Sequence, residues 1–140
     1  MVWKRPEIPA DIATPAQPPA AHSPAPAAEW QLGEALTNLY VGLLRWQRGE
    51  KLSAQRFIQH YAVDRVIQLA TLSAPPAPFA DPFAMERRIE TRLPALAEHL
   101  PRFVQGYHAS PQSAAAILGY LQAHYTVDAG IADAIRRLIQ

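Results

Sequence analysis

The stretch LTNLYVGLLRWQRGEKLSAQRFIQHYAVDRVIQL, residues 36–69, decides the fold. In its first part Leu36, Leu39, Leu43 and Trp46 recur at spacings of three and four; Leu32 extends the stripe upstream and Leu44 widens it. That period lays one apolar face along a helix beginning near Glu29. Gly49 then interrupts the pattern, as a glycine does just past a helix C-terminus. Ser53 is a good N-cap for a second helix, which the pattern carries to about Leu72. Phe57, Ile58, Tyr61, Val63, Val66, Ile67 and Leu69 surround most of its circumference. A helix apolar on so many sides is expected in the middle of a bundle rather than on its rim.

Downstream, Ala74-Pro75-Pro76-Ala77-Pro78 reads as a stiff connector. Asp81-Pro82 supplies an N-cap and first position for a third helix through about Leu93. Pro94 opens a short fourth helix that Pro101 breaks or kinks near Phe103. Ser110-Pro111 repeats the cap-plus-proline start for a fifth helix ending near Tyr125, with Ile117, Leu118, Leu121 and Tyr125 inward. Asp128 caps a last helix carrying Ile131, Ile135, Leu138 and Ile139. Valine and isoleucine fall at helical spacing and not in alternation, so no strand signal competes. The fold class is therefore all-α: an antiparallel bundle of five to six helices over residues 29–140.

Residues 1–28 read differently. From Pro15 to Ala28 the chain is almost entirely proline and alanine, with Gln17, His22 and Ser23 inserted. Proline fixes φ and removes backbone donors, so this arm is expected to be disordered and extended, unable to build a core. A spacer, a proline-rich ligand and a simple tail all fit that composition.

Composition narrows the function classes. A chain of 140 residues fits one domain with a sizeable core, and a net charge of +1 provides no general field for nucleic acid or an anionic membrane. There is no cysteine, which removes disulfides, thiolate metal sites and cysteine nucleophiles. No run approaches the roughly 20 apolar residues of a membrane helix, and Glu7, Pro9 and Asp11 interrupt any secretory signal, so the expected compartment is cytoplasmic.

Two polar rows interrupt the apolar helices. Arg56, His60, Asp64 and Gln68 follow at i, i+4 on the second helix; Glu34, Asn38, Gly42 and Arg45 form a line on the first. Gly42 costs about 1 kcal/mol of helix propensity relative to alanine, which close approach of another helix or a ligand would offset. Either the rows meet across a groove that binds a polar small molecule, or each is the solvated face of its helix. The turn Arg48-Gly49-Glu50-Lys51-Leu52-Ser53 concentrates charge and presents a helix N-terminus, suited to a phosphate or polyol or simply exposed. The run Glu86-Arg87-Arg88-Ile89-Glu90-Thr91-Arg92 reads as solvated helix surface.

Metal and catalytic motifs are absent from the sequence. His60, His99, His108 and His124 fall on different predicted elements, and only His60 and Asp64 share helical spacing. There is no Gly-x-Ser-x-Gly elbow and no phosphate-cradling glycine loop. Nor is there the Asp-x-Asp arrangement that holds Mg²⁺ for nucleotidyl transfer. No catalytic residue is assigned.

The segment from Leu39 to Gln59, with Arg-Gly-Glu-Lys-Leu-Ser-Ala at 48–54, and its continuation Tyr61-Ala62-Val63-Asp64-Arg65, resembles the helical domain of lincosamide nucleotidyltransferases. Asp81-Pro82-Phe83, Gln105-Gly106-Tyr107 and the helix from Ser113 to Leu121 fit the same domain, so the resemblance spans about residues 29–140. It implies the C-terminal half of an antibiotic-resistance transferase that moves a nucleoside monophosphate onto a drug hydroxyl. In that family the helical half helps form the drug pocket and the dimer. Mg²⁺ and nucleoside triphosphate belong to an N-terminal domain carrying Gly-Ser and Asp-x-Asp, which these residues do not contain, so no cofactor is expected in this chain. The carry-over therefore stops at pocket and dimer roles for Arg45, Glu50, Lys51, Arg56, Gln59 and Asp64. Expected partners are a second copy or a separate nucleotidyltransferase domain, and a small polar antibiotic.

Two other readings stand beside it. One is a HEPN-like helical nucleotide-binding protein or ribonuclease partner of a minimal nucleotidyltransferase, which uses an arginine and a histidine with four to six residues between them, as in Arg92/His99 and Arg102/His108. The other is a ligand-free helical adaptor working through an uncovered apolar face.

Overall fold

The computed structural model describes residues 27–76, 81 and 83–140. The expected Pro/Ala arm up to Pro26, and the role of Pro82 in starting a helix, lie outside them. The described residues are helical, with no strand among them.

Helix α1 (Ala28–Gln47) follows the leucine stripe: Leu36, Leu39 and Leu43 are buried, with Ala35 and Gly42 beside them. It ends as the sequence requires. Gly49 takes φ +81°, its amide donates to the Trp46 carbonyl at 2.9 Å, and the Glu50 amide donates to the Arg45 carbonyl at 3.0 Å. These paired bonds across a left-handed glycine satisfy carbonyls that the helix end leaves open. The chain then reverses into α2 (Lys51–Gln55), a π-helical segment (Arg56–Ala62) and α3 (Val63–Ser73). The joining residues Gln55, Arg56, Ala62 and Val63 all keep right-handed helical angles, so the three run as one long helix. It lies antiparallel to α1: Arg45 meets Ser53 near the turn, and Gln31 meets Arg65 at the far end.

The two helices approach most closely at Gly42. A Cβ on that residue would stand 2.6 Å from Cγ1 of Ile58 and 3.0 Å from Cβ of Phe57. The glycine is there because another helix occupies the space, which is one of the two explanations its helix cost allowed.

Helix α1 is the centre of the bundle, packed against α2, the π segment, α3, α7 (Ser110–His124) and α8 (Ala129–Ile139). The sequence assigned that position to the second helix instead. Tyr61 was part of its apparent apolar circumference, yet it is 44% exposed, and Leu72 at its end is 48% exposed, which leaves that helix with an outer side. Ile58, Ala62, Val66 and Leu69 bury against Leu39, Leu43, Ile117, Leu121 and Ile135. Each such valine, leucine or isoleucine side chain contributes about 1.5–3 kcal/mol when fully removed from water.

Three start signals work differently from their sequence reading. Ser53 does not cap; the helix begins at Lys51, and the Ser53 hydroxyl instead accepts from Arg45. Asp81 does not begin a helix reaching Leu93. Its carboxylate closes a turn by accepting from the Phe83 amide and from Arg87, each at 2.9 Å. Arg88 then takes the left-handed φ of 56°, so only α4 (Ile89–Arg92) is helical there. Ser110 is the buried first residue of α7, with Ala109 in the cap position. Pro94 and Pro101 each sit in the first turn of a short helix, α5 (Pro94–Ala97) and α6 (Leu100–Phe103), so Pro101 starts a helical turn more than it breaks one. Asp128 caps α8 as expected, accepting from the Ile131 amide at 3.1 Å.

Candidate functional site

The six residues expected to line a pocket separate into three places. Arg45, Glu50 and Lys51 stay together at the hairpin turn. Arg45 Nη1 donates to Ser53 Oγ at 2.7 Å, lies 3.7 Å from Glu50, and its guanidinium sits 4.6 Å from the centre of the Phe57 ring. Arg48 Nε donates to Glu50 at 2.8 Å, and Lys51 Nζ lies 5.0 Å from the Trp46 ring. The hydrogen bond from Arg48, with the charges of Arg48 and Arg45, holds the Glu50 carboxyl below its ordinary range. One atom is left over: Arg45 Nε is sealed from water with no acceptor. The turn is thus a charged, mostly self-paired surface with aromatic backing.

Gln59 is elsewhere, inside the bundle and 2% exposed. Its Nε2 donates to the Gly106 carbonyl at 2.8 Å and to Ser110 Oγ at 3.0 Å, and its Oε1 accepts from the Gly106 amide at 2.8 Å. The side-chain amide pairs with the Gly106 peptide as a neighbouring strand would, and both of its N–H donors are used. Gly106 has φ +99°, a backbone conformation that favours glycine. Gln59 therefore fixes the loop before α7 to the π segment. π-helical turns often occur at functional positions, and here the segment carries a buried side-chain amide that ties it to the loop before α7.

Arg56 is exposed, and Asp64 is half-buried two turns further along the same helix. Burial raises the Asp64 carboxyl, opposed by Arg65 and reinforced by Glu86. The two polar rows do not face each other as a pair. The first runs into the helix contact at Gly42, while Arg56 and His60 of the second are exposed. Gln68 accepts from Arg65 at 2.9 Å, and Arg65 also donates to the buried Gln31 at 3.1 Å.

A concavity lies at the end of α3 away from the turn. A cleft of about 400 Å³ opens between the end of α3 with Pro75, the α4–α5 junction, and the C-terminal end of α7. Arg92, Tyr120, His124 and Tyr125 are its larger polar groups, over Leu93, Leu96 and Ala70. A second depression of about 250 Å³ shares the Tyr120/His124 wall and adds His99, Arg102 and Phe103. The Tyr120 and His124 rings stack at 4.1 Å and 26°, and His99 meets Tyr120 edge-on at 5.0 Å. Burial raises both tyrosine hydroxyls, so they remain protonated donors. None of the six expected residues lines either space.

Of the arginine–histidine pairs, Arg92 and His99 line different depressions, and His108 is exposed against Tyr107. Among the described residues no three histidine, aspartate or glutamate side chains gather in a metal-holding group, and no helix is long and apolar enough to cross a membrane. Sequence alone offered one signal for the cleft, the i, i+4 spacing of Tyr120 and His124. Arg92 was hidden in a charge run read as solvated. No protein-family model, curated protein or solved structure matches this chain.

Proposed function

We propose that this chain is a helical substrate-binding and docking domain like the C-terminal half of lincosamide nucleotidyltransferases, and that it performs no chemistry by itself. The observation that carries the reading is an outward strip on the long helix. Leu52 and Tyr61 are 56% and 44% exposed, and Arg56 and His60 are exposed between them. This strip lies within the segment on which the resemblance rests. A mixed apolar and basic strip suits a protein surface, the apolar atoms supplying affinity and the charges setting register. Its occupant in this reading is a nucleotidyltransferase domain, with a second copy of the chain as the competitor. The turn bearing Arg45, Glu50 and Lys51 sits at the start of the same helix, where it would wall a polar antibiotic held between the two domains. Mg²⁺ and the nucleotide would be held by the nucleotidyltransferase domain, and this chain would orient the drug.

Two measurements test the reading. Lincomycin titrated calorimetrically into the full chain is expected to release heat, with affinity about tenfold weaker in a Lys51→Ala/Arg56→Ala variant. No heat at millimolar drug removes the ligand half. Incubation with lincomycin and Mg-ATP, followed by mass spectrometry, is expected to give no adenylylated drug. Product formed by the purified chain overturns the statement that it performs no chemistry.

A further inference from the structure

We propose that the cleft between α3, the α4–α5 junction and α7 binds a small organic anion with a flat apolar body, its charge facing Arg92 and its ring lying along the Tyr120/His124 wall. The inference stands apart from the nucleotidyltransferase-like reading, which concerns the other end of the molecule.

Size and charge both point this way. At about 400 Å³ the space is in the range of small-molecule pockets, and its floor is apolar, as such pockets usually are. Among the described residues no aspartate or glutamate lines it or the neighbouring depression, whereas Arg92 lines the first and Arg102 the second. Arg92 is a half-buried cation with carbonyl partners only. Its Nη1 donates to the Met85 carbonyl at 2.9 Å and to the Arg87 carbonyl at 3.4 Å, its Nε is sealed from water without an acceptor, and among the described residues it joins no ion pair. A guanidinium stays charged, and in partly desolvated surroundings an uncompensated one favours an anion strongly.

The wall supplies orientation. His124 Nδ1 lies 2.8 Å from the Tyr120 carbonyl, which can only accept, so Nδ1 carries the proton and Nε2 is left for another partner. The His124 ring stacks on Tyr120, and the Tyr125 ring stands tilted beside it at 46°, so aromatic surface lines this wall. Planar rings pack on such faces with gains beyond the area they bury. Aromatic walls also attract cations, but the Arg92 charge opposes one here.

Three probes of one shape separate these cases: 2-naphthoate, 2-naphthylmethanol and 2-naphthylmethylammonium, titrated into the ¹⁵N-labelled full chain by NMR. Naphthoate is expected to bind with a Kd of about 1 mM or tighter, the value ordinary ligand efficiency gives for its size. The neutral and cationic probes should be about tenfold weaker. Shifts should fall on residues 70–75, 92–96 and 120–125. Arg92→Gln should weaken naphthoate by about tenfold and leave naphthylmethanol unchanged, a selectivity that a folding defect would not produce. If Arg92→Gln disturbs the amide spectrum globally, Ala95→Trp, at an exposed rim position, should exclude all three probes. Equal affinity for the probes, shifts mapping elsewhere, no saturable shift with naphthoate, or binding unaffected by either variant overturns the proposal.

Discussion

Replacing Gly42 by alanine sets two well-characterised effects against each other. In an unobstructed helix, alanine is favoured over glycine by about 1 kcal/mol. At Gly42 the new methyl would stand 2.6 Å from Ile58 Cγ1 and 3.0 Å from both Ile58 Cδ1 and Phe57 Cβ. Ile58 is fully buried and β-branched, so its Cγ1 has few rotamers to move into, and Phe57 Cβ is fixed to backbone. The helices must separate by several tenths of an ångström along a contact that holds the core. Overpacking of this kind costs about 1–3 kcal/mol, so after the propensity gain the net expectation is destabilisation of up to about 2 kcal/mol, a fall in Tm of up to about 8 °C. Gly33 is the internal control. It lies on the exposed side of the same helix with nothing within 4 Å of a Cβ, so Gly33→Ala should raise Tm. The assay is thermal and urea unfolding of both variants, with Gly42→Ala repeated in an Ile58→Ala background. There the penalty should shrink, giving a coupling of at least about 0.5 kcal/mol. If Gly42→Ala stabilises as Gly33→Ala does, the close approach is wrong.

Gln59→Leu should cost about 2–3 kcal/mol in urea unfolding, because it strands the Gly106 peptide and the Ser110 hydroxyl in the interior; a loss under about 0.5 kcal/mol would remove the clamp. Asp128→Ala should cost about 1 kcal/mol by the same measurement through loss of the α8 cap, and no change would argue against the bond to Ile131. Asp64 is raised above 3.8 by burial, so its favourable contribution is fully present below that pH and is lost as pH rises through the folded value. Asp64→Asn should therefore stabilise at neutral pH and lose its advantage in acid, a sign that urea midpoints across the pH range would check. Glu50 is lowered below 4.5, so the opposite holds: its contribution is present above that value and is lost as pH falls through the depressed one. Glu50→Gln should then narrow toward the parent in acid.

Helical identity was legible because the signals were local. The leucine stripe, Gly49 and Asp128 each act within a few residues, and each does in the structure what its position implied. Signals that depend on a distant partner read wrongly. Ser53 and Ser110 look like two caps and Gln59 was expected to line a pocket, yet each is engaged across the fold, by Arg45 or by one another. Asp81 resembles an N-cap because turns and helix starts use the same side-chain bond, and the left-handed Arg88 that separates them leaves no mark in composition. The cleft was hidden for the same reason. Its wall is a pair on α7, but its cation comes from a charge run near α4, and only tertiary folding joins them.

In the proposed function, the hairpin turn and the outer strip of the long helix form the ligand-facing and partner-facing side of the domain. Mapping lincomycin onto the amide NMR spectrum of the full chain tests it most directly. The expected result is saturable shifts concentrated between residues 45 and 64, leaving the cleft residues 92–96 and 120–125 unmoved. Shifts confined to the cleft, or none at millimolar drug, would contradict it.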